Sequence, residues 1–444
     1  MDKKITLEQL NAYEAAFDGE RANQVAMRAV TSCGVVKAAQ NGDVYRQDRH
    51  QFSISLEQGK ITNQKQSGRC WMFAALNTMR FAVMKNLDLD TFELSQNYTL
   101  FYDKLEKANY FLESILGTLE EPTSGRVIAH LLMAPLNDGG QWDMFCNLIE
   151  KYGVVPKDAM PETACSSSTR EMTTFMTRKL REFACVLRAG HQNGKSVEEL
   201  RAEKDQMMQT IYNMLCISLG KPPKTFTLEV RNKKKEFIRD EGLTGKEFFA
   251  KYVGWDLSEY VSLINAPTAD KPYHKTYTVK LLGNVVEGRP VKYLNLPVED
   301  LKKAAIAQMQ DGQPVWFGCD VGKCSLRDGG VMDLEAIKAD DLFGTQFTMD
   351  KAQRLDYGES LMTHAMVFQG VDLDDKGQPI RWRVENSWGK DAGEDGYYVM
   401  TDDWFTEYTY QVVVNKKYLT PQQAAEYDQE PAQLEPWDPM GSLA

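Results

Sequence analysis

One of the eight cysteines stands where a chain would place a reactive thiol. Cys70 follows the polar loop Thr62–Arg69, which breaks at Gly68, and it opens the apolar run Cys70–Leu76. The run stays apolar nearly all round, which predicts a buried helix whose first turn carries Cys70. The unpaired N–H groups of a helix amino terminus stabilise a thiolate, the form in which cysteine is a nucleophile. Arg69, beside it, adds a positive charge. Taken alone, such a cysteine is more often a small buried hydrophobic residue.

A histidine and an asparagine fall on two short strands joined by a turn. His364 lies in an apolar segment and Asn386 ends an alternating one, with the turn-rich Asp372–Gly377 between them. An antiparallel hairpin would place His364 and Asn386 opposite each other, within a residue or two. An asparagine oxygen that accepts one ring N–H fixes the imidazole tautomer and directs the other nitrogen at a thiol. The pattern predicts Cys70 as nucleophile, His364 as base and Asn386 as the residue that orients the histidine.

A side-chain amide precedes the cysteine by six residues. Gln64 could donate an N–H to a developing oxyanion, together with the backbone N–H of Cys70. Spacing alone is weak support for this role, because Gln66 lies in the same polar loop.

The segments that must position these residues change character along the chain. Between about residues 165 and 265, charge-rich stretches with helical apolar spacing predict a mainly helical insertion. From about residue 275 the pattern turns to short strands, which carry His364 and Asn386. The polar tail after Pro421 contains three further prolines, and we expect it to run extended over the surface.

Composition and charge narrow the possible functions. The chain has 444 residues, 43% of them hydrophobic and 26% charged, with a formal net charge of -11. This length suggests several lobes, and the charge disfavours a polyanionic partner such as DNA. The basic run Arg231–Lys235 is more simply a solvated face. No signal peptide or membrane-spanning run is recognised, so we expect reduced cysteines and a cytoplasmic protein with no membrane partner.

No metal or cofactor is expected. Cys319 and Cys324 lie five residues apart without a second Cys or His pair nearby, which argues against zinc. Asp372–Gly377 begins like a calcium loop, but Lys376 and Arg383 occupy two of its ligand positions.

Three motifs in order resemble those of papain-like cysteine peptidases. Gln64–Ala74 is similar to the nucleophile segment of that family, Thr363–Met366 to its histidine strand and Glu385–Gly389 to its Asn-Ser-Trp-Gly segment. Ser67 stands where secreted members have a disulfide cysteine. The cysteine and histidine are about twice as far apart as the ~130–150 residues usual there, which implies a large insertion.

With Asp138–Met144, the motifs look like the bleomycin hydrolase and bacterial aminopeptidase C branch, over nearly the whole chain. The resemblance implies an α+β, papain-like fold in which a helical lobe and a β-barrel-like lobe flank a cleft, with a large helical insertion. The expected division is a helical lobe with the nucleophile over 1–164, the insertion over 165–265, a β-rich lobe with the histidine and asparagine over 266–420, and a carboxy-terminal arm over 421–444.

The same resemblance implies roles for further residues. Gln64 would serve the oxyanion hole, and Trp388 would cover the histidine–asparagine hydrogen bond from water. Gly139 and Gly140 would lie along the substrate backbone, where a Cβ would obstruct it.

The resemblance also implies an assembly and an unusual arm. Members form hexameric rings, so a homohexamer is expected. Their arm lies in the cleft, which here would be Asp438–Ala444, and the carboxylate of Ala444 would hold the free amino group of the substrate.

Together these points predict a cysteine aminopeptidase of broad specificity that releases amino-terminal residues from peptides through a thioester acyl-enzyme. Two alternatives stay open. One is an endopeptidase or acyltransferase with the same triad, and the other is a nonenzymatic nucleic-acid-binding protein on the same fold. The second rests only on the basic run Arg231–Lys235, and the acidic net charge disfavours nucleic acid as a partner.

Overall fold

Small helices precede the main body of the protein. The computed structural model describes residues 4–47, 50–56 and 59–443. The first elements are α1 (Leu7–Gly19), α2 (Arg21–Cys33), α3 (Val35–Ala39), α4 (Val44–Gln47) and β1 (Ile54–Ser55). Neither α1 nor α2 buries a residue in the chain's own core.

The helical lobe is built around one buried helix. Its elements are α5 (Cys70–Leu87), α6 (Gln96–Leu116), α7 (Arg126–Met133) and α8 (Trp142–Tyr152). Apolar residues all round α5 suit a helix that is enclosed on every side, and 14 of its residues are buried. The predicted buried helix that begins at Cys70 is confirmed.

The insertion is helical at first and then forms a hairpin. It comprises α9 (Ala164–Ser167), α10 (Arg170–Gln192), α11 (Val197–Leu219), β2 (Phe226–Arg231), β3 (Phe237–Leu243) and α12 (Gly245–Phe248). The two long helices pack on each other and on α6. The basic run Arg231–Lys235 lies mostly exposed at the tip of the β2–β3 hairpin.

The rest of the chain forms the sheet lobe and the arm. Its helices are α13 (Val298–Gln310), α14 (Ala339–Phe343), α15 (Lys351–Asp356), α16 (Asp402–Tyr408) and α17 (Pro421–Tyr427). Its strands are β4 (Tyr260–Ile264), β5 (Lys275–Val279), β6 (Tyr293–Asn295), β7 (Val315–Cys319), β8 (Ser325–Leu326), β9 (Val331–Met332), β10 (His364–Leu373), β11 (Pro379–Glu385), β12 (Tyr397–Thr401), β13 (Thr409–Asn415) and β14 (Ala432–Leu434). Short 3-10 or π turns occur at Lys157–Ala159, Phe249–Val253, Leu257–Glu259, Leu334–Ala336, Lys416–Tyr418 and Pro439–Gly441.

One large sheet organises the second lobe. Its strand order is β14-β5-β6-β4-β13-β7-β10-β11-β12-β9-β8, with β1 paired to β10. The central strand β13 lies antiparallel to both β4 and β7. One side of the sheet encloses a core with α13 and α16, while α5 packs against β10 and β7. The helix that begins at Cys70 therefore lies directly on the strand that begins at His364.

The sheet and the tail differ in detail from the sequence-based expectation. Strand β4 already joins the sheet within the segment expected to be an insertion up to residue 265. The tail is not extended throughout, since Thr420 caps α17 with Gln423 and Pro421 occupies the first helical turn. After this helix the arm adds β14 to the sheet edge, parallel to β5.

The described helices include none that is long and apolar enough to cross a bilayer. The expected α+β architecture, with a helical lobe, a sheet lobe and a helical insertion, is confirmed.

Candidate active site

Cys70 is the first residue of α5 and is 3% exposed. The helix has no side-chain cap, which leaves its first N–H groups available to a negative charge. The position of Arg69 next to Cys70 suggested that its positive charge would stabilise the thiolate, but the structure pairs that charge elsewhere. Its guanidinium makes a bidentate ion pair with Glu162 at 3.0 and 2.8 Å, so its charge is already matched. The helix terminus, rather than Arg69, is the local feature that favours a thiolate.

His364 and Asn386 meet across the β10–β11 hairpin. His364 Nε2 lies 3.1 Å from Asn386 Oδ1, in position to donate its N–H to that oxygen. The two residues are not directly opposite, because Val367 pairs with Glu385 and Asn386 falls two positions short. Trp388 lies beside the imidazole, with ring centroids 4.8 Å apart. The expected proximity of His364 and Asn386 is present, and the Trp388 ring lies next to the imidazole that makes the hydrogen bond.

Burial governs the protonation of both groups. It raises the pKa of the Cys70 thiol to about 11, against the lowering effect of nearby N–H groups that include the backbone of Ala365. It lowers the pKa of His364 to about 4, although the hydrogen bond with Asn386 raises that pKa. Burial therefore holds both groups neutral in the closed site. An ion pair of Cys70 thiolate and His364 imidazolium is therefore opposed by burial and favoured by the N–H groups around Cys70 and by Asn386.

Gln64 is 6% exposed and held by the segment that follows Asn386. Ser387 Oγ donates to Gln64 Oε1 at 2.6 Å, and Gln64 Nε2 donates to the Ser67 carbonyl at 2.6 Å. The backbone N–H of Gln64 also donates to the Ser387 carbonyl. Gln66 is exposed instead. The structure thus separates the two glutamines that spacing could not, and it adds Ser387, whose only sequence signal was its place next to Asn386.

A short antiparallel contact joins the loop before Cys70 to the residues after Asn386. Asn63 bridges Trp388, and Gly389 N–H donates to the Thr62 carbonyl at 3.1 Å. Gly389 has a φ of +81°, and a Cβ there would lie 2.4 Å from Asn63 Nδ2. Glycine is required at this position both by backbone conformation and by space.

Asp138 fixes the loop that packs against the start of α5. Its Oδ2 accepts the N–H of Gly68 at 3.0 Å and its Oδ1 accepts from Lys104 Nζ at 2.6 Å. Although burial opposes it, Lys104 holds the pKa of the Asp138 carboxyl well below its usual range. The Asp138 carbonyl also accepts Trp71 Nε1–H at 2.7 Å. Asp138 therefore ties the loop to both sides of Cys70, through its carboxylate to Gly68 and through its backbone carbonyl to Trp71.

The two predicted glycines lie at this loop. A Cβ on Gly140 would lie 2.6 Å from the ring of Trp71, directly after Cys70. The carbonyl of Gly139 accepts a hydrogen bond from buried Lys107 Nζ at 2.6 Å. Lys107 also pairs with buried Asp103 at 2.9 Å. No sequence pattern pointed to these α6 residues, because ionic side chains on a helix normally face solvent.

The carboxy-terminal arm reaches the same place. The Ser442 carbonyl accepts from Gln141 Nε2 at 2.6 Å, and Ser442 Oγ donates to the carbonyl of Met362, two residues before His364, at 2.5 Å. Tyr293 Oη donates to the Met440 carbonyl at 3.0 Å. Ala444 lies outside the described residues.

The base of the arm is anchored by charge. Lys271 Nζ lies 2.9 Å from Asp438 Oδ2, with side chains 2% and 10% exposed. The guanidinium of Arg126 lies 3.8 Å from the ring centre of Trp437. Leu443 packs against the helical-lobe core and lines a cavity of about 260 Å³. The described arm is a bound part of the fold that contacts both the helical lobe and the sheet lobe.

The described residues hold no group of three or more His, Cys, Asp or Glu side chains arranged for a metal ion. All eight cysteines are free thiols.

Comparison with known proteins gives matches along the full length of the chain. Residues 4–441 match the family model described as Peptidase C1-like. A protein named aminopeptidase C from Lactobacillus delbrueckii subsp. lactis is 46% identical, covering 100% of this chain and 99% of the relative. Human bleomycin hydrolase is 45% identical and covers 89% of this chain and 88% of its own length. The crystal structure of PepW from Lactobacillus rhamnosis HN001 is 50% identical, with full coverage of both chains and a TM-score of 0.98.

Proposed function

Because the chain belongs to the Peptidase C1-like family, we propose that its chemistry is performed by Cys70, His364 and Asn386. The protein is a cysteine-type aminopeptidase, in agreement with relatives named aminopeptidase C and bleomycin hydrolase. The observation that carries the residue assignment is the His364–Asn386 hydrogen bond, on a strand packed against the helix that begins at Cys70.

The reaction begins with proton transfer from the Cys70 thiol to His364. The thiolate attacks the carbonyl carbon of the first peptide bond, and the carbonyl oxygen becomes an oxyanion. The backbone N–H of Cys70 and the amide N–H of Gln64 that is not bound to Ser67 donate to that oxygen. When the tetrahedral species collapses, His364 protonates the leaving amine and a thioester remains on Cys70.

Hydrolysis of the thioester reverses these roles. His364 takes a proton from a water molecule, which attacks the thioester carbonyl, and the same two N–H donors hold the second oxyanion. Collapse expels the Cys70 sulfur, which recovers its proton from His364. Asn386 keeps the imidazole in one tautomer throughout, and Trp388 limits access of water to their hydrogen bond.

We assign selectivity for free amino termini to the arm. The hydrogen bonds of Ser442 with Gln141 and with the Met362 carbonyl support an arm that would occupy the cleft on the amino side of the scissile bond. A peptide with more than one residue on that side would collide with it. A carboxylate at the end of Asp438–Ala444 would attract the substrate ammonium, and peptides with free amino termini are the proposed substrates.

We also propose that the protein acts in the cytoplasm as a homohexamer. Eight free cysteines suit a reducing compartment. Helix α1 buries none of its own residues and exposes apolar side chains, namely Leu7, Leu10, Tyr13 and Phe17. Exposed apolar groups of this kind are typical of subunit contacts. Light scattering of the purified protein tests the assembly, and a monomer at micromolar concentration would exclude it.

The test of the reaction compares one short peptide with a free and with an acetylated amino terminus, under reducing conditions. We expect loss of the first residue from the free form only, and no loss with Cys70→Ala. Cys185→Ala, which changes an exposed cysteine on α10, is the matched control and retains full activity. Internal cleavage of both peptides would retain the triad but contradict the role of the arm and favour the endopeptidase alternative.

A further inference from the structure

A buried ion pair joins the helix of the nucleophile to the strand of the orienting asparagine. Arg80 Nη2 lies 2.7 Å from Glu385 Oε1, and the two side chains are 1% and 0% exposed. Arg80 is ten residues after Cys70 on α5, about 15 Å along the helix axis. Glu385 ends β11 and directly precedes Asn386. The pair therefore links two of the proposed catalytic residues through the backbone of one helix and one strand.

The Glu385 carboxylate accepts hydrogen bonds from side chains of both lobes. Its Oε1 also accepts from Asn77 Nδ2 on α5 at 2.8 Å, and its Oε2 accepts from Gln369 Nε2 on β10. Arg80 Nη1 donates to the Lys60 carbonyl at 2.6 Å, in the chain that leads into the oxyanion loop. Both carboxylate oxygens are thus bonded, and the bonds converge from α5, β10 and β11.

Stability alone is a poor reason for this arrangement. Removing two charges from water costs so much that an apolar replacement of a buried pair is often neutral or stabilising. A charged pair with several directed hydrogen bonds nevertheless does what apolar contacts cannot. It restricts the sliding and rotation of one element against another, because each bond tolerates only a narrow range of distance and angle.

We propose that the Arg80–Glu385 pair is a positioning device that sets α5 against β10 and β11. It thereby holds the Cys70 thiol at reacting distance from the imidazole of His364. This inference rests on the catalytic roles proposed above. Arg80 and Glu385 act through other residues and touch no substrate.

Loss of the Arg80–Glu385 pair is expected to affect kcat and KM differently. The groups assigned to substrate binding are the Gly139–Gly140 loop and the arm, which are held by Lys107, Gln141 and Lys271 rather than by this pair. A displacement of about 1 Å between reacting groups can lower a rate about 100-fold. Loss of the pair should therefore lower kcat and the reactivity of Cys70 while KM stays nearly constant.

The test uses Glu385→Gln in the full-length protein. This variant keeps the size of the side chain but loses its charge. One carboxylate oxygen becomes an amide N–H₂, which cannot accept a hydrogen bond, and the other becomes a neutral oxygen, which accepts more weakly from Arg80, Asn77 and Gln369. We expect kcat for the free peptide to fall about tenfold or more, with KM within about twofold. The rate of Cys70 alkylation by iodoacetamide should fall with kcat.

The matched control is Asp402→Asn. Asp402 forms a partly buried pair with Lys302 Nζ at 2.6 Å, but both residues belong to the sheet lobe. Asp402→Asn should lower Tm and leave kcat and alkylation unchanged. An Arg80→Lys variant, which keeps the charge but loses the fork of donors, should fall between Glu385→Gln and the wild type.

Wild-type kcat and alkylation rates in Glu385→Gln would overturn the positioning role. If Glu385→Gln fails to fold, Arg80→Lys decides, and unchanged kcat and alkylation in that variant would overturn it equally. A wild-type protein that cannot cleave the free peptide would instead count against the proposed function. The rate of Cys70 alkylation can be measured whether or not the protein cleaves that peptide, so it tests the positioning role separately.

Discussion

Two glutamines that lie two residues apart before Cys70 have different surroundings. Gln64 is buried between Ser67 and Ser387, whereas Gln66 is exposed. Only Gln64 is held rigidly enough to donate to a short-lived oxyanion without first losing conformational freedom.

Gln64→Ala should therefore lower kcat by about 100-fold to 1,000-fold, the usual effect of removing one oxyanion donor. Gln66→Ala should leave kcat within about twofold, because its side chain contacts solvent. Steady-state rates on a free-amino peptide measure both. Equal losses in the two variants would indicate a general disturbance of the loop and contradict the assignment to Gln64.

At the residue scale, side-chain type and order were enough to predict the proposed triad, but not the partners that hold it. Arg69 is adjacent to Cys70 in sequence, yet its charge is paired with Glu162, which no local pattern indicates. Lys104 and Lys107 were missed because a lysine on a helix usually extends into water. Their carboxylate and carbonyl acceptors come from a loop more than thirty residues away.

Among the secondary-structure elements, the start of α5 is packed tightly against the Asp138–Gly140 loop. Gly140 touches the ring of Trp71, and the neighbouring helix α8 begins at Trp142 with buried Asp143 in its first turn. Two predictions concern this junction.

Gly140→Ala should displace Cys70, the proposed nucleophile, by acting on its neighbour Trp71. The new Cβ would lie 2.6 Å from the Trp71 ring, so the loop or the helix must shift. Overpacking of this kind costs about 1–3 kcal/mol of stability, and kcat/KM should fall with it. Gly42→Ala, where a Cβ meets no atom within 4 Å, is the control. Denaturant unfolding and peptide kinetics are the measurements, and wild-type values for Gly140→Ala would refute this account of the contact.

Asp143→Asn should make stability less dependent on pH. Burial raises the pKa of Asp143 to about 6, above the value of about 3.9 for an unfolded chain. The folded state binds the proton more tightly, so wild-type stability falls as pH rises from about 4 to about 6. Above pH 6 the cost of the buried carboxylate is about 3 kcal/mol, at about 1.4 kcal/mol per pKa unit.

The amide oxygen of the variant side chain would still accept the N–H of Lys292, which Asp143 Oδ2 accepts at 3.0 Å. The variant should thus be more stable than the wild type at pH 7.5 and nearly equal at pH 4, as measured by urea unfolding. Asp205→Asn on the exposed face of α11 should show no such difference. A gain of the same size at both pH values would contradict the burial argument.

Periodicity predicted elements better than their pairing. A run that is apolar nearly all round indicated α5, the 3.6-residue pattern indicated α10 and α11, and the turn at Asp372–Gly377 indicated the β10–β11 hairpin. The hairpin contains irregular pairing near Phe368 and Gly370, which changes the register at Asn386. Sequence alone did not predict this shift, because a bulge depends on strands packed on both sides. The irregularity moves Asn386 one position toward His364, to two positions away, and the two side chains meet across that offset.

At the scale of the whole molecule, the carboxy-terminal arm connects parts of the chain that are far apart in sequence. Residues after Leu434 contact Lys271, Tyr293, Gln141 and Met362, which come from three widely separated parts of the chain. Only the family resemblance led us to expect an arm in the cleft, since a polar tail with prolines has the same composition when it is loose.

A chain that ends at Trp437 should lose selectivity for free amino termini. Asp438–Ala444 is the segment proposed to close the cleft on its amino side, so without it acetylated peptides should become substrates and internal bonds should be cut. Glu435→Ala, which removes an exposed pair with Lys280, keeps the cleft contacts and serves as the control. Mass spectrometry of the products measures the change. A truncated enzyme that still releases single residues from free peptides only would show that another part of the protein sets selectivity.

The position of β13 in the sheet has a consequence for synthesis of the protein. This strand lies between β4 and β7 at the centre of the sheet, although Thr409–Asn415 is among the last segments of the chain to be made. Chains emerge from the ribosome amino terminus first, so the sheet that carries His364 and Asn386 cannot close until β13 has emerged. The arm follows shortly afterwards. With the role proposed for the arm, the cleft would therefore be complete only shortly before the segment that restricts it to single-residue release has been made.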